Sequence, residues 1–223
     1  PSVFIRFGKC NFKCEGFGVE YETPSGVKKC ACDTYYAVDT EFKDTWTKYK
    51  SYEEIVNEVD KLISIYPYNY KIDIVITGGE PLLYWNKDEF QKLLKHYIDE
   101  GHKVTIETNG SLNLNIDKEY QKELLFSMSV KLSNSLEPIK KRININTLTT
   151  ILSNTKESYL KFVIGKDFLN DAKKEINEIL SSIPKCDVYL MPLGDTAEQI
   201  NKNCEDVINM SIENGFKYCD RLH

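Results

Sequence analysis

Apolar and polar positions in this chain follow two alternating periods. Val3-Phe4-Ile5-Arg6-Phe7 reads as a strand. A long cysteine-bearing loop follows, with Gly16, Gly18, Pro24 and Gly26 as turn signals. Ser51 to Tyr66 then carries Tyr52, Ile55, Val56, Val59, Leu62, Ile63 and Tyr66 at the 3.6-residue spacing of an amphipathic helix, and Ser51 with Glu54 forms a capping-box pair at its start. Ile72 to Ile76 is a second strand, ended by Thr77-Gly78-Gly79-Glu80-Pro81. Asn86 and Glu89 are expected to cap a helix bearing Phe90, Leu93, Leu94, Tyr97 and Ile98, which Gly101 stops. Lys103 to Glu107 is a third strand, ended by Thr108-Asn109-Gly110, and Leu124 to Lys131 a weaker fourth. Leu160 to Ile164 is a fifth, followed by a helix from Asp171 to Ser182, and Val188 to Met191 is a sixth, ended by Pro192. Thr196 and Gln199 cap a last helix, which Gly215 closes.

This β-then-α order, with glycine and polar residues at several strand C-terminal ends, predicts an α/β fold with a parallel sheet or partial barrel. Ligands in such folds sit at the carboxyl ends of the strands. Composition adds limits. Of 223 residues, 41% are hydrophobic and 28% charged, enough for a real core. The 29 Lys and Arg against 34 Asp and Glu give a net charge of -5, which argues against a general nucleic-acid binder. No apolar run is long enough to span a bilayer, and no signal segment opens the chain. It starts Pro1-Ser2-Val3 with no Met, so an upstream segment is expected. His96 and His102 read as helix-surface and loop residues.

The cysteines change the picture. Cys10, Cys14, Cys30 and Cys32 cluster, whereas Cys186, Cys204 and Cys219 are dispersed and read as ordinary buried thiols. An odd number without a signal peptide does not suggest a disulfide framework. Thiols at such spacings bind zinc or an iron–sulfur cluster, and spacing alone leaves both open.

Phe4-Ile5-Arg6-Phe7-Gly8-Lys9-Cys10-Asn11-Phe12-Lys13-Cys14, Cys32-Asp33-Thr34, Thr77-Gly78-Gly79-Glu80-Pro81 and Glu107-Thr108-Asn109-Gly110 occur in that order. Together they resemble the 7-carboxy-7-deazaguanine synthase family of radical S-adenosylmethionine enzymes. The resemblance implies one radical S-adenosylmethionine domain over residues 1–223, a partial (β/α)6 TIM-like barrel with an extended cluster-binding loop at 11–34. It departs from the family at the cysteines. The usual spacing is C-x3-C-x2-C, but residues 15–31 separate Cys14 from Cys32, and Lys29 stands at the usual middle offset. Cys10, Cys14 and Cys32 are the favoured ligands of a 4Fe-4S cluster, with Cys30 the alternative to Cys14.

The same resemblance implies S-adenosylmethionine contacts from Ala31, Cys32, Asp33, Gly78, Gly79, Ser129 and Lys131, with magnesium at Thr34. Substrate contacts would come from Arg6, Thr77, Glu107 and His223. Arg6, among Phe4, Ile5 and Phe7, is expected to need a partner. The family's sixth strand commonly ends leucine-glutamine-proline; this one ends Leu190-Met191-Pro192. The implied activity is that of a carbon–nitrogen lyase of queuosine and 7-deazapurine biosynthesis. It contracts the ring of 6-carboxy-5,6,7,8-tetrahydropterin to 7-carboxy-7-deazaguanine with release of ammonia. A flavodoxin- or ferredoxin-type electron donor, a homodimer and a cytoplasmic location are expected, with no nucleic-acid or membrane partner. Two other readings are a glycyl-radical activating enzyme, which has no need of Arg6 or Cys32-Asp33-Thr34, and a zinc-stabilised binding module using all four clustered cysteines.

Overall fold

The structure is a computed structural model describing residues 1–66 and 71–221. In chain order its N-terminal half contains β1 (Ser2–Phe7), β2 (Val19–Glu22), β3 (Lys28–Ala31), α1 (Tyr35–Val38), α2 (Tyr52–Ser64), β4 (Asp73–Gly78), α3 (Asp88–Asp99) and β5 (Val104–Thr108). The remainder contains β6 (Leu125–Ser129), α4 (Ile139–Arg142), α5 (Ile145–Asn154), β7 (Tyr159–Ile164), α6 (Leu169–Leu180), β8 (Val188–Pro192), α7 (Ala197–Asn214) and β9 (Lys217–Tyr218). Among the described residues the main sheet has seven strands in the order β1-β4-β5-β6-β7-β8-β9. Every pairing in it is parallel. All six predicted strands are present, and the two-residue β9 extends the open barrel at its far edge.

Period-two alternation decides which face each strand residue takes. Ile74, Ile76, Val104, Ile106, Phe126, Met128, Leu160, Phe162, Ile164 and Leu190 have relative exposures of 0% and join one core with the helices. From the helices come Val56 and Val59 of α2, Leu93, Leu94 and Tyr97 of α3, Leu148 and Ile151 of α5, Ile176 of α6 and Val207 of α7. A parallel sheet needs such a cover on its helical side.

Three details differ from the sequence expectation. The segment 11–34 is not an extended loop: β2 and β3 pair as an antiparallel hairpin, Val19 opposite Ala31 and Glu22 opposite Lys28. The alternation in Val19-Glu20-Tyr21-Glu22 and the turn residues Pro24 and Gly26 are its local cause. The helix starts are also rearranged. Ser51 makes no side-chain cap bond, and Glu54 Oε2 accepts from Lys50 N at 2.9 Å. The N-terminal amide of α2 instead goes to Glu89 of α3, with Tyr52 N donating to Oε2 at 2.9 Å. A carboxylate at a helix N-terminus is favourable whichever element supplies it. The third helix starts after Lys87, with Asn86 outside it.

Finally, α5 was not expected, because Ile145-Asn146-Thr147-Leu148-Thr149-Thr150-Ile151 is poor in helix formers. Asn144 caps it by accepting from Thr147 N at 3.1 Å, and burial of Leu148 and Ile151 overrides propensity.

Candidate active site

The sheet face opposite the helices lines a cavity of about 730 Å³, inside the range of roughly 300–1,000 Å³ for small-molecule sites. The alternation that buries the even-numbered residues of these strands turns the odd-numbered ones into the cavity, and β1 contributes Phe4 and Arg6. Strand register then sets polar groups side by side. Arg6 lies opposite Thr77, Glu107 opposite Ser127, and Ser129 opposite Lys161. Thr77 Oγ1 donates to Glu107 Oε2 at 2.8 Å, and Lys161 Nζ stands 3.5 Å from Glu107 Oε1. Arg6 does not sit among its apolar neighbours: the pleat sends Phe7 to the core and leaves Arg6 exposed on the cavity side, 5.7 Å from the Tyr36 ring centroid.

Cys10, Cys14 and Cys32 line this same cavity. Cys30 does not: it is exposed on the hairpin, and its thiol donates to Glu15 O at 3.3 Å. Burial pushes the Cys10 and Cys14 thiols up to about 12, with smaller contributions from neighbouring charges. Such thiols stay neutral until a cation draws off the proton, so they suit metal ligation better than nucleophilic chemistry. Among the described residues, no three His, Cys, Asp or Glu converge closely enough to hold a single metal ion. Three thiols spread over the wall of one cavity fit a polynuclear iron–sulfur cluster.

Backbone packing holds the cysteine segment in place. Lys9 and Cys14 adopt left-handed conformations, at φ 72° and 53°. A Cβ on Gly79 would lie 2.2 Å from Lys9 O, and one on Gly16 2.0 Å from Asn134 O. Gly79 thus admits the backbone of the cysteine loop, Gly16 within that loop admits the turn at Asn134, and Gly78 admits β1, where Phe7 O would lie 2.0 Å from a Cβ. The TGGEP turn is therefore glycine-rich first for packing, although Gly78 and Gly79 also line the cavity.

Glu80 is fully buried and accepts from Leu82 N at 2.9 Å, Thr108 Oγ1 at 2.7 Å and Asn109 N at 2.7 Å. Burial pushes its carboxyl up, and these three bonds pull the other way. Asn109 Nδ2 in turn donates to Asn11 Oδ1 at 2.9 Å, tying the cysteine loop to the exit of β5. On the other side, Glu137 Oε1 accepts from Lys13 N at 2.6 Å and Cys14 N at 3.1 Å.

Among the remaining predicted residues, Ser129 Oγ accepts from Lys131 Nζ at 2.9 Å, and both residues line the cavity. Thr34 Oγ1 donates to Asp33 Oδ1 at 3.0 Å, leaving its lone pairs free for a hard cation. Ala31 is buried in the hairpin and outside the cavity lining. His223 lies outside the described residues. Sequence reading missed Lys161, Tyr159, Tyr189, Cys219 and Arg221, all of which line the cavity. Lys161 was visible as the lone charge in Tyr159-Leu160-Lys161-Phe162-Val163-Ile164. Arg221 pairs with Asp33, and its buried Nε has no hydrogen-bond partner.

Comparisons with known proteins agree with this geometry. The Radical SAM superfamily pattern matches residues 28–207. The 7-carboxy-7-deazaguanine synthase of Clostridium acetobutylicum is 30% identical over 195 residues, covering 86% of this chain and 72% of its relative. That of Halobacterium salinarum is 28% identical over 246 residues, covering 100% and 81%. In fold, the chain resembles the crystal structure of QueE from Escherichia coli, with a TM-score of 0.60, 17% identity, and coverage of 100% and 86%. It also resembles Streptococcus suis SuiB bound to S-adenosylmethionine, with a TM-score of 0.60, 14% identity, and coverage of 99% and 50%. Three thiols and a polar sheet face lining one cavity lead, together with these relatives, to one conclusion: the chain belongs to the radical SAM superfamily and, within it, to the 7-carboxy-7-deazaguanine synthase family.

Proposed function

We infer that this protein contracts the ring of 6-carboxy-5,6,7,8-tetrahydropterin to 7-carboxy-7-deazaguanine, releasing ammonia, in queuosine and 7-deazapurine biosynthesis. The observation that carries the reading is the shared cavity: Cys10, Cys14 and Cys32 face it together with Arg6, Thr77 and Glu107. When bound, the 4Fe-4S cluster supplies the electron that cleaves S-adenosylmethionine and starts radical chemistry.

Each residue then has a role set by its chemistry. Cys10, Cys14 and Cys32 hold the cluster, and Cys30, turned to Glu15 O, is spare. Ser129 and Lys131 present a hydroxyl and an ammonium to S-adenosylmethionine, beside the backbone of Gly78 and Gly79. Arg6 offers a guanidinium to the pterin carboxylate, a planar match for bidentate binding. Glu107 accepts from the pterin ring nitrogens. Its two oxygens are already oriented by Thr77 and Lys161, so little side-chain freedom remains to be lost on binding.

Thr34 is the magnesium residue. One hydroxyl is a weak site, so substrate oxygens and water must complete the shell. Asp33, held by Arg221 and by Thr34 itself, fixes that hydroxyl. A homodimer is the family expectation. All seven cysteines are free, which accords with a reducing, cytoplasmic setting. No helix among the described residues is long and apolar enough to cross a membrane.

The test is anaerobic reconstitution with iron and sulfide, followed by mass spectrometry of products from the carboxytetrahydropterin. Formation of 7-carboxy-7-deazaguanine supports the reading. Slow cleavage of S-adenosylmethionine with an unchanged pterin refutes it.

A further inference from the structure

We propose that Arg142 is a positioning residue for S-adenosylmethionine: buried behind the cavity wall, it fixes the backbone from which Lys131 reaches the cofactor. This rests on the reading above that Lys131 contacts S-adenosylmethionine. Arg142 ends α4, is 5% exposed and does not line the cavity. Its Nη1 donates to Lys131 O at 3.0 Å, and its Nη2 stands 2.8 Å from Glu175 Oε2 on α6. Glu175 in turn accepts from Ser133 N at 3.1 Å and from the Ser133 hydroxyl. One buried ion pair thus grips the chain on both sides of Leu132.

The sheet does not hold this stretch. The last residue of β6 in register with β7 is Ser129, opposite Lys161. Just past it Val130 N turns back to Met128 O at 2.9 Å, so the chain has left the ladder before Lys131. An ammonium on a flexible four-carbon stem locates a ligand only where its base is fixed. At the far end of that stem, Lys131 Nζ donates to Ser129 Oγ at 2.9 Å and lies 5.5 Å from the Phe17 ring centroid. Arg142 fixes the near end, at the carbonyl.

Stability alone does not call for this pair. Exchanging a buried arginine–carboxylate pair for apolar side chains of similar volume is often neutral or stabilising. Here the pair also leaves Arg142 Nε buried without a hydrogen-bond partner, which adds to its cost. Apolar side chains would join α4 to α6 equally well. They could not donate to Lys131 O, and a lysine lacks the planar fork that meets both acceptors. What the pair alone supplies is the placement of Lys131.

The test is a double-mutant cycle. It reads Kd for S-adenosylmethionine by isothermal titration calorimetry on the anaerobically reconstituted protein, with iron content and denaturant midpoint measured beside it. Arg142→Met with Glu175→Leu removes both charges together, so neither is left buried alone. Lys131→Met removes the ammonium and keeps the stem. Lys131→Met should weaken binding roughly tenfold, the lower end of what a charged hydrogen bond is worth. The Arg142 and Glu175 substitutions should weaken it about threefold or more, within the coupling of residues in contact. In the Lys131→Met background they should weaken it no further, while iron content and midpoint hold. An unchanged Kd would overturn the proposal. So would equal losses in both backgrounds, because the pair would then support the fold in general. If the paired variant loses iron or unfolds early, Arg142→Lys decides, since it keeps the charge opposite Glu175 and loses the fork. Weakened binding with full iron upholds the proposal there, and wild-type Kd overturns it. Failure of the underlying reading looks different: Lys131→Met would itself bind S-adenosylmethionine as the wild type does.

Discussion

The two walls of the cavity are built by different physics. The sheet wall, carrying Arg6, Thr77, Glu107, Ser129 and Lys161, comes from the pleat, and parallel register sets its neighbours. The cysteine wall comes from left-handed residues, glycines pressed against carbonyls, and side chains that bind loop amides. A strand residue is positioned by a periodic rule that tolerates substitution on its open face. A loop thiol is positioned by a few irregular contacts, each hard to replace. Substitutions in the cysteine wall should therefore cost structure and cluster together, whereas those on the sheet wall should cost substrate handling alone.

The largest effects are expected at the thiols. Cys10→Ala, Cys14→Ala and Cys32→Ala should each abolish cluster retention, measured as iron and sulfide content after reconstitution, while Cys30→Ala should retain it. Loss of the cluster in Cys30→Ala with retention in Cys14→Ala would exchange their roles.

Next come the glycines that admit the loop. Gly16→Ala puts a methyl 2.0 Å from Asn134 O, and Gly79→Ala puts one 2.2 Å from Lys9 O. Overpacking against backbone costs about 1–3 kcal/mol, so both variants should unfold at lower denaturant and lose iron. Wild-type stability in either would mean that the loop yields more freely than its packing suggests.

That difference also explains what the sequence disclosed. Period-two alternation with glycine-rich strand ends was enough to find the sheet and its order of β and α; Thr77, Glu107 and Ser129 came from the family resemblance, and the pleat explains why all three line one cavity. Lys161 obeyed the same rule and needed only to be read as an inward-facing charge. The hairpin at Val19–Glu22 and Lys28–Ala31 was hidden because Gly16, Gly18, Pro24 and Gly26 overshadow two short alternating runs. Helix α5 was hidden because burial, not propensity, stabilises it. No local pattern foretells that Glu137 reaches Lys13 and Cys14, or that Glu89 caps α2, since both are long-range contacts between side chain and backbone.

A smaller effect should separate metal from cluster. Thr34→Val keeps shape and β-branching but removes the hydroxyl. Product formation should lose most of its magnesium stimulation, while iron content and slow S-adenosylmethionine cleavage persist. Full stimulation in this variant would return Thr34 to a purely structural contact with Asp33.

The smallest effect lies in the anchor of the hairpin. Lys29 Nζ sits 2.8 Å from Asp39 Oδ2 and 2.7 Å from Glu41 Oε1, and Tyr21 OH donates to Asp39 Oδ2 at 2.9 Å. Burial raises the Asp39 carboxyl, but bonds from Lys29, Glu41 N and Tyr21 outweigh it and hold the group below its ordinary range. A depressed carboxylate adds stability that is fully present above its unfolded value and fades as pH falls through the folded one. Asp39→Asn should cost about 0.5–1 kcal/mol at neutral pH and flatten the acid limb of the stability curve. An unchanged acid limb would show that the hairpin does not depend on this network.

The most direct measurement for the division between the two walls is a paired assay of Arg6→Ala, reading iron and sulfide content beside pterin ring contraction in one reconstituted sample. Arg6 lies exposed on the sheet wall, away from the contacts that hold the thiols. The account predicts full cluster content and unimpaired slow cleavage of S-adenosylmethionine. It also predicts substrate binding weakened by about 1.5–3 kcal/mol, the worth of a hydrogen bond to a charged group. Loss of the cluster together with product, or turnover of the carboxylated pterin at wild-type affinity, would contradict it.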